Sequence, residues 1–426
     1  MRPSLLLGVM IAWLPGCDVS AMADALVVVA DFEGASVTDV VIDQTARSIH
    51  FRPGGQPQRG WPCWWYFRID GMTPGETLTL HLTAGDAGAQ ASPALAAVVR
   101  EATAFSMPSQ ATWSADGHSW QHTAKGVRDT SGMTWMLSAN SSSVFVAWGP
   151  PCTPTDAARF VQECSRRYSF ATADVLCRSE ADRPVPMLRI QEGVRPADQR
   201  FGIWCQARQH AWESGSSWVA QGFAEWALSD HPEAAWLRQH AEVFIVPIMD
   251  VDNVATGNGG KNAVPHDHNR DWSAQPVWKE TLAAQRRVSD LIAEGRMDLF
   301  LDLHNPAPGD PSFFYILDRS ELQEPMISLR DRFIDLAYQR ISRIQPLIPM
   351  SNRPKTTGAA YHPLWRQISA NWVSLNGNPQ TVSVCLETIW NYQNSTTAGY
   401  RAVGGQLAAA AAAYLAERPS RVPPAE

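Results

Sequence analysis

Between residues 24 and about 165 the apolar positions come in short alternating or aromatic-rich runs, at 26–31, 48–51, 63–69, 78–82 and 142–146. Alternation of period two sends successive side chains to opposite faces, so each run predicts a β-strand with one buried face. Turn signals separate the runs: Pro53-Gly54-Gly55, Asp70-Gly71, Thr73-Pro74-Gly75 and Asp116-Gly117. No long amphipathic helix is evident here, and the Ala/Gly-rich stretch 84–93 reads as a loop. Two packed antiparallel sheets, a β-sandwich over 24–165, satisfy this pattern.

Beyond residue 150 the period changes. A short helix is predicted over 156–165, after which strands and helices alternate. The apolar runs 201–207, 242–249, 299–303 and 381–386 read as buried strands. Helical spacing marks 216–228, 278–294, 322–344 and 402–418. That order predicts a second, α/β domain over 170–417 with helices covering a mixed central sheet, followed by a tail at 418–426.

Composition changes this picture in three places. The chain has 426 residues, ample for two domains, and its 18 tryptophans must be largely buried or line clefts. The formal charge is −7, with basic residues scattered, so the stripe expected of a nucleic-acid binder is missing and nucleic acid is not an expected partner. Residues 1–23 read as a signal peptide: Arg2, an apolar run over 5–14, then Ala21-Met22-Ala23 before Asp24. Export is the expectation, periplasmic or secreted; a lipoprotein reading would instead leave Cys17 acylated. No later segment reads as an integral membrane span, since 408–413 is too short. Of the cysteines that follow, Cys152 and Cys164 are close enough in sequence to bridge, whereas Cys205 and Cys385 suit packed thiols.

Candidate chemistry gathers where buried strands end, which is where open α/β sheets form ligand sites. His210 and Glu213 follow the strand at 201–207, and His304 closes the run at 299–303. A His and a Glu three apart on a tight turn can share one ion, and a second His completes the three-ligand set of catalytic zinc. The spacing alone is common in proteins without metal.

The surrounding words carry more. Small residues and a tryptophan follow the HxxE pair in Ser216-Ser217-Trp218; then come Asp250-Val251-Asp252-Asn253, Asn269-Arg270-Asp271-Trp272, Asp302-Leu303-His304 and Leu386-Glu387-Thr388. In this order they resemble the zinc metallocarboxypeptidases, in particular bacterial-type members of the cytosolic carboxypeptidase (deglutamylase) branch, over roughly 170–417. Trp65-Tyr66-Phe67-Arg68-Ile69 and the 114–120 segment resemble that branch's preceding β-domain. The resemblance implies one zinc ion per chain held by His210, Glu213 and His304. It implies Glu387 as general base, Arg270 with Asn269 as the grip on a substrate's terminal carboxylate, and Tyr361 near the terminal residue. Asp302 is either an outer partner of a ligand histidine or a solvated strand-end carboxylate. Relatives carry an arginine for the oxyanion about nine residues before Asn-Arg; here that place falls on Gly260, with Lys261 beside it. The expected activity is hydrolysis of the C-terminal peptide bond of peptides with a free C-terminus, with acidic (Glu) termini a possible preference through Lys355, Arg353 or Arg366. The alternative is a catalytically impaired module that binds C-termini through a retained zinc site.

Overall fold

The structure, a computed structural model, describes residues 24–83 and 93–419. The leader-like 1–23 with Cys17, most of the 84–93 loop and the end of the tail lie outside the described residues.

The N-terminal region contains β1 (Val27–Val29), β2 (Thr38–Asp43), β3 (Ser48–Arg52), β4 (Tyr66–Asp70), β5 (Thr77–Thr83), α1 (Pro93–Phe105), β6 (Thr112–Ser114), β7 (Gln121–His122), β8 (Val127–Arg128), β9 (Gly132–Ser138) and β10 (Ser143–Ala147). They form two five-stranded sheets, ordered β1-β4-β10-β6-β7 and β2-β3-β5-β9-β8. Their inward residues, among them Phe51, Leu80 and Trp135 from one sheet and Phe67, Ile69 and Val146 from the other, share one buried cluster. Two expectations are corrected. The second sheet is not wholly antiparallel, because β3 and β5 run parallel: the chain crosses to the other sheet through β4 before returning. A 13-residue helix, α1, also stands where none was read; its alanines give good propensity without a marked stripe.

The second region comprises α2 (Pro154–Arg167), β11 (Ala171–Arg178), β12 (Pro184–Ile190), β13 (Phe201–Ala207), α3 (Ser214–Ala227), α4 (Pro232–His240), β14 (Ala241–Val246), α5 (Val251–Ala255), α6 (Lys279–Ala293), β15 (Met297–His304), β16 (Phe313–Leu317), α7 (Glu324–Ile341), β17 (Lys355–Thr357), α8 (Ser369–Asn376), β18 (Val382–Glu387) and α9 (Thr397–Ala416). Helix α2 packs on β11 and β12. Thr153 caps α2, accepting from the Asp156 amide while Asp156 reaches back to Thr153.

The eight-stranded sheet runs β11-β12-β14-β13-β15-β18-β16-β17. Its centre is parallel, β14-β13-β15-β18, and antiparallel neighbours flank it on both sides. Every residue of β13, β14 and β15 is buried, as expected of parallel strands covered on both faces. Cys152 and Cys164 are separate free thiols buried in different clusters, not a bridge. Among the described residues no helix is long and apolar enough to cross a membrane.

Candidate metal centre and substrate cavity

The C-terminal ends of β13, β15 and β18 lie side by side, with His304 and Glu387 direct register partners. After β13 the chain turns sharply through Arg208, whose φ is 65°. That side chain is fully buried and holds the turn, donating from Nε to the Ala211 carbonyl (2.7 Å) and from Nη1 to the Cys152 carbonyl (3.1 Å). The turn delivers His210, then Glu213 at the N-terminus of α3, where the helix dipole favours a carboxylate.

Three side chains converge here. His210 Nδ1 lies 2.7 Å from Glu213 Oε1, and His304 Nδ1 lies 2.7 Å from Glu213 Oε2. One ligand atom from each residue falls within 4.8 Å of the others. The outer nitrogens face other carboxylates: His304 Nε2 is 3.0 Å from Asp302 Oδ2, and His210 Nε2 is 3.5 Å from Asp267 Oδ1. With the ring protons turned toward Asp302 and Asp267, both Nδ1 lone pairs point at the Glu213 carboxylate. Such an arrangement is repulsive unless a cation lies among the three groups, and two neutral imidazoles with one carboxylate are a zinc donor set. The residues therefore fit the metal.

Burial alone would raise the Glu213 carboxyl, but His210 and His304 outweigh it and hold it below the usual carboxylate range. Burial likewise opposes a charged His304, yet Asp302 and Glu213 together raise that ring well above ordinary histidine. Both shifts express the mutual attraction of carboxylate and imidazolium in this cluster, the same negative field that would favour a cation among the three groups. A second cluster, Asp302-His304-Cys385, is also within ligand distance. Its Asp302 is already engaged by Gln209 Nε2 (2.8 Å), by Ser369 Oγ and by His304. The Cys385 thiol, raised well above normal chiefly by burial, stays protonated. Asp302 is fully buried, which settles its sequence reading: it orients His304 and is not a solvated strand-end group.

The cluster opens into a cavity of about 180 Å³ that collects the other candidates, Lys261, Asn269, Arg270, Tyr361 and Glu387. Glu387 Oε2 is buried and has no hydrogen-bond partner. Burial is the main influence on this carboxyl and raises its pKa; His304 opposes, while Glu213 and Asp302 add to the rise. Arg270 is 6% exposed, donates from Nη1 to the Asn269 carbonyl (2.9 Å) and leaves a buried Nε unpartnered. Asn269 is committed elsewhere, accepting from the Ser369 amide at 3.0 Å and lying against His304. Tyr361 packs on Tyr315 (ring centroids 5.3 Å) with the Arg270 guanidinium 6.0 Å from its ring centre.

Gly260, where the oxyanion arginine was sought, cannot carry one. Its φ is +76°, and a Cβ there would sit 2.6 Å from the Ala211 nitrogen and from Asp250 Oδ2. The neighbouring Lys261 does line the cavity, its Nζ 3.5 Å from Asp267 Oδ2 and its side chain 17% exposed. Burial, with Arg270 nearby, lowers its pKa against the pull of Asp267 and Glu213. The three basic residues sought for an acidic terminus are not in the lining: Lys355 pairs with Asp310 (2.8 Å), Arg366 with Glu321 (3.5 Å), and Arg353 is exposed. Asp267, Tyr315 and Arg208 were missed in the sequence, since nothing local to them signals a partner so distant along the chain.

Comparison with known proteins agrees with this geometry. The zinc carboxypeptidase family description matches residues 157–305. Cytosolic carboxypeptidase 2 of Danio rerio is 26% identical over 282 residues, 59% of this chain and 37% of that protein. Cytosolic carboxypeptidase 6 of Mus musculus is 30% identical over 178 residues, 38% and 32% of the two chains. The match thus spans about a third of these relatives' length. Among solved structures, a metallo-carboxypeptidase from Burkholderia cenocepacia superposes with a TM-score of 0.73 at 20% identity, covering 92% of this chain and 99% of that one. One from Pseudomonas aeruginosa, in complex with (2-guanidinoethylmercapto)succinic acid, gives 0.70 at 22% identity, over 92% and 99%. These superpositions establish a shared mixed α/β fold.

Proposed function

We propose that this chain, whose residues 157–305 match the zinc carboxypeptidase family, is a member of that family and removes single residues from peptide C-termini. The observation that carries this reading is the meeting, at one cavity, of His210 and Glu213 from the three-residue cluster, a Glu387 carboxylate with one buried, unpartnered oxygen and an Arg270 guanidinium with a buried, unpartnered Nε.

One zinc ion per chain, held by the three ligands, would supply polarisation of the scissile carbonyl and acidification of water. Glu387 accepts the proton of the attacking water through the free Oε2 and returns it to the departing amine. A carboxyl raised by burial suits both halves of that transfer better than an ordinary one. Arg270 receives the terminal carboxylate, for which its unpaired Nε is available, and an internal peptide bond offers no such anion. Lys261 presents the only other cationic side chain of the lining, among the described residues, to charge developing on the carbonyl oxygen. Asp302 and Asp267 orient the two histidines, and Tyr361 with Tyr315 walls the terminal residue. The N-terminal sheets and the α/β region act as one enzyme, exported if residues 1–23 are removed as a leader.

The test is zinc-dependent release of the last amino acid from a free-acid peptide, abolished by chelation, restored by zinc and not seen with the amidated peptide. Glu387→Gln should retain zinc while turnover falls by about 10² or more. Equal rates in Glu387→Gln and wild type would remove Glu387 from the mechanism.

A further inference from the structure

The lining that adjoins Arg270 is built almost entirely of neutral groups. Ser369, whose amide donates to Asn269, is flanked by Ile368 and by Ala370 and Asn371 at the start of α8, and all three flanking residues line the cavity. Thr357, Tyr315 and Cys385 complete this side. Its polar atoms are already engaged: Thr357 Oγ1 bonds Asn371 Oδ1 at 2.7 Å and the Ile316 carbonyl at 3.1 Å, and Asn371 Nδ2 donates to the Trp365 carbonyl at 2.9 Å. The cations of the lining, among the described residues, are Lys261 and Arg270. Arg270 is the group left for a terminal carboxylate, and Lys261 already faces Asp267. Lys355, behind Phe313 with its Nζ 4.1 Å from that ring centre, is neutralised by Asp310. His362 lies in the field of Arg270 and Lys261; burial together with those two cations lowers its pKa, so it supplies no charge.

From these contacts we propose that the wall around the terminal residue selects an uncharged side chain and rejects a second carboxylate, so that the natural substrates end in neutral rather than acidic residues. The proposal rests on the carboxypeptidase reading and specifies its substrate. The physical reason is desolvation. A terminal glutamate would bring two carboxylates into a cavity with one unengaged cation, leaving its side-chain charge without a partner in a lining that already holds Glu387. Glutamine fills the same volume without that charge, and aliphatic side chains gain from the apolar contacts of Ile368, Ala370 and Tyr315.

The isosteric pair Gln and Glu isolates the charge. N-acylated dipeptides that share a penultimate residue and end in Gln, Glu, Leu or Ala would be assayed with the zinc-loaded full chain. The expected result is kcat/KM at least about tenfold higher for Gln than for Glu, with Leu and Ala also above Glu. Glu matching or exceeding Gln overturns the proposal while leaving the carboxypeptidase reading standing. Release from none of the four defeats the carboxypeptidase reading instead, and calorimetric titration of the same uncleaved peptides then decides the pocket. Tighter binding of Gln than Glu upholds its neutrality; equal or tighter binding of Glu, or binding of neither, overturns it.

Discussion

Lysine and arginine at a developing oxyanion differ in reach and in shape. A guanidinium offers a rigid fork, an ammonium a point charge on a long stem. Gly260 cannot supply the first: the left-handed backbone and the Ala211 nitrogen only 2.6 Å from a hypothetical Cβ close that position to any side chain. Lys261, one residue on, reaches the same cavity and is anchored by Asp267. Lys261→Ala should therefore lower kcat by about 10²–10³, the usual effect of losing an oxyanion donor, with a smaller change in KM. Arg270→Ala should do the reverse, raising KM for free-acid peptides and leaving amidated ligands almost unaffected. Steady-state kinetics and inhibitor titrations on the two variants separate the roles. An unchanged kcat in Lys261→Ala would show that its charge does not meet the reaction.

At the scale of the element, the one-turn segment His268–Arg270 that presents Asn269 and Arg270 is itself held by a buried histidine. His268 stacks on Trp278 (4.9 Å between centroids, 11° between planes) and lies 3.6 Å from both Asp250 and Glu280, distances of ion pairs rather than hydrogen bonds. Burial works against its charge, but the two carboxylates prevail and raise its pKa to about 9. A histidine whose folded pKa exceeds its unfolded value near 6.5 stabilises fully below that value, and the contribution fades as pH rises through about 9. Burial also raises the Asp250 carboxyl, so the net worth is smaller than the His268 shift alone suggests, on the order of 1–3 kcal/mol. Denaturant unfolding of wild type and His268→Gln should show a stability gap at pH 6 that narrows by pH 10. A gap that does not change with pH would mean His268 is not charged in the fold. Elements of this kind also mark where the sequence was readable. Strands β13, β14 and β15 are buried on both faces, so their mostly apolar runs gave them away. Edge strand β11, mostly exposed or half-buried, and the alanine-rich α1 carry no such pattern and were missed. The convergence of His210, Glu213 and His304 was legible from their order along the chain. The oxygens that orient them were only half legible: Asp302 shares a strand with His304, whereas Asp267 meets His210 only after folding.

Across the whole molecule, the N-terminal region meets the cavity along a clasp. The segment joining β3 to β4 lies along the loop that carries Lys261: the Gly260 amide donates to the Arg59 carbonyl (2.9 Å), the Trp61 amide to the Lys261 carbonyl (2.9 Å) and the Val264 amide to the Gln58 carbonyl (2.9 Å). Arg59 Nε adds a bond to Asn253 Oδ1 at 2.6 Å. Trp61 and Phe105 then form part of the cavity wall, and Trp212 and Trp390 from the α/β region sit in the buried cluster of the N-terminal sheets. So many backbone bonds between two surfaces require close approach, and Gly60 provides it. Its φ is +108°, and a Cβ there would lie 2.4 Å from the Gly260 nitrogen, with backbone atoms rather than a yielding side chain in the way. Gly60→Ala is expected to part the two segments of the clasp and move Lys261, leaving the His210–Glu213–His304 cluster at the ends of β13 and β15 in place. The expected outcome is a stability loss of about 1–3 kcal/mol, a kcat lowered at least tenfold, and zinc content equal to wild type. Ser142→Ala, at the far end of the N-terminal sheets and outside the clasp, serves as the control and should leave kcat unchanged. If Gly60→Ala is destabilised to the stated extent but turns over at the wild-type rate, the clasp holds the two regions together without placing the lysine.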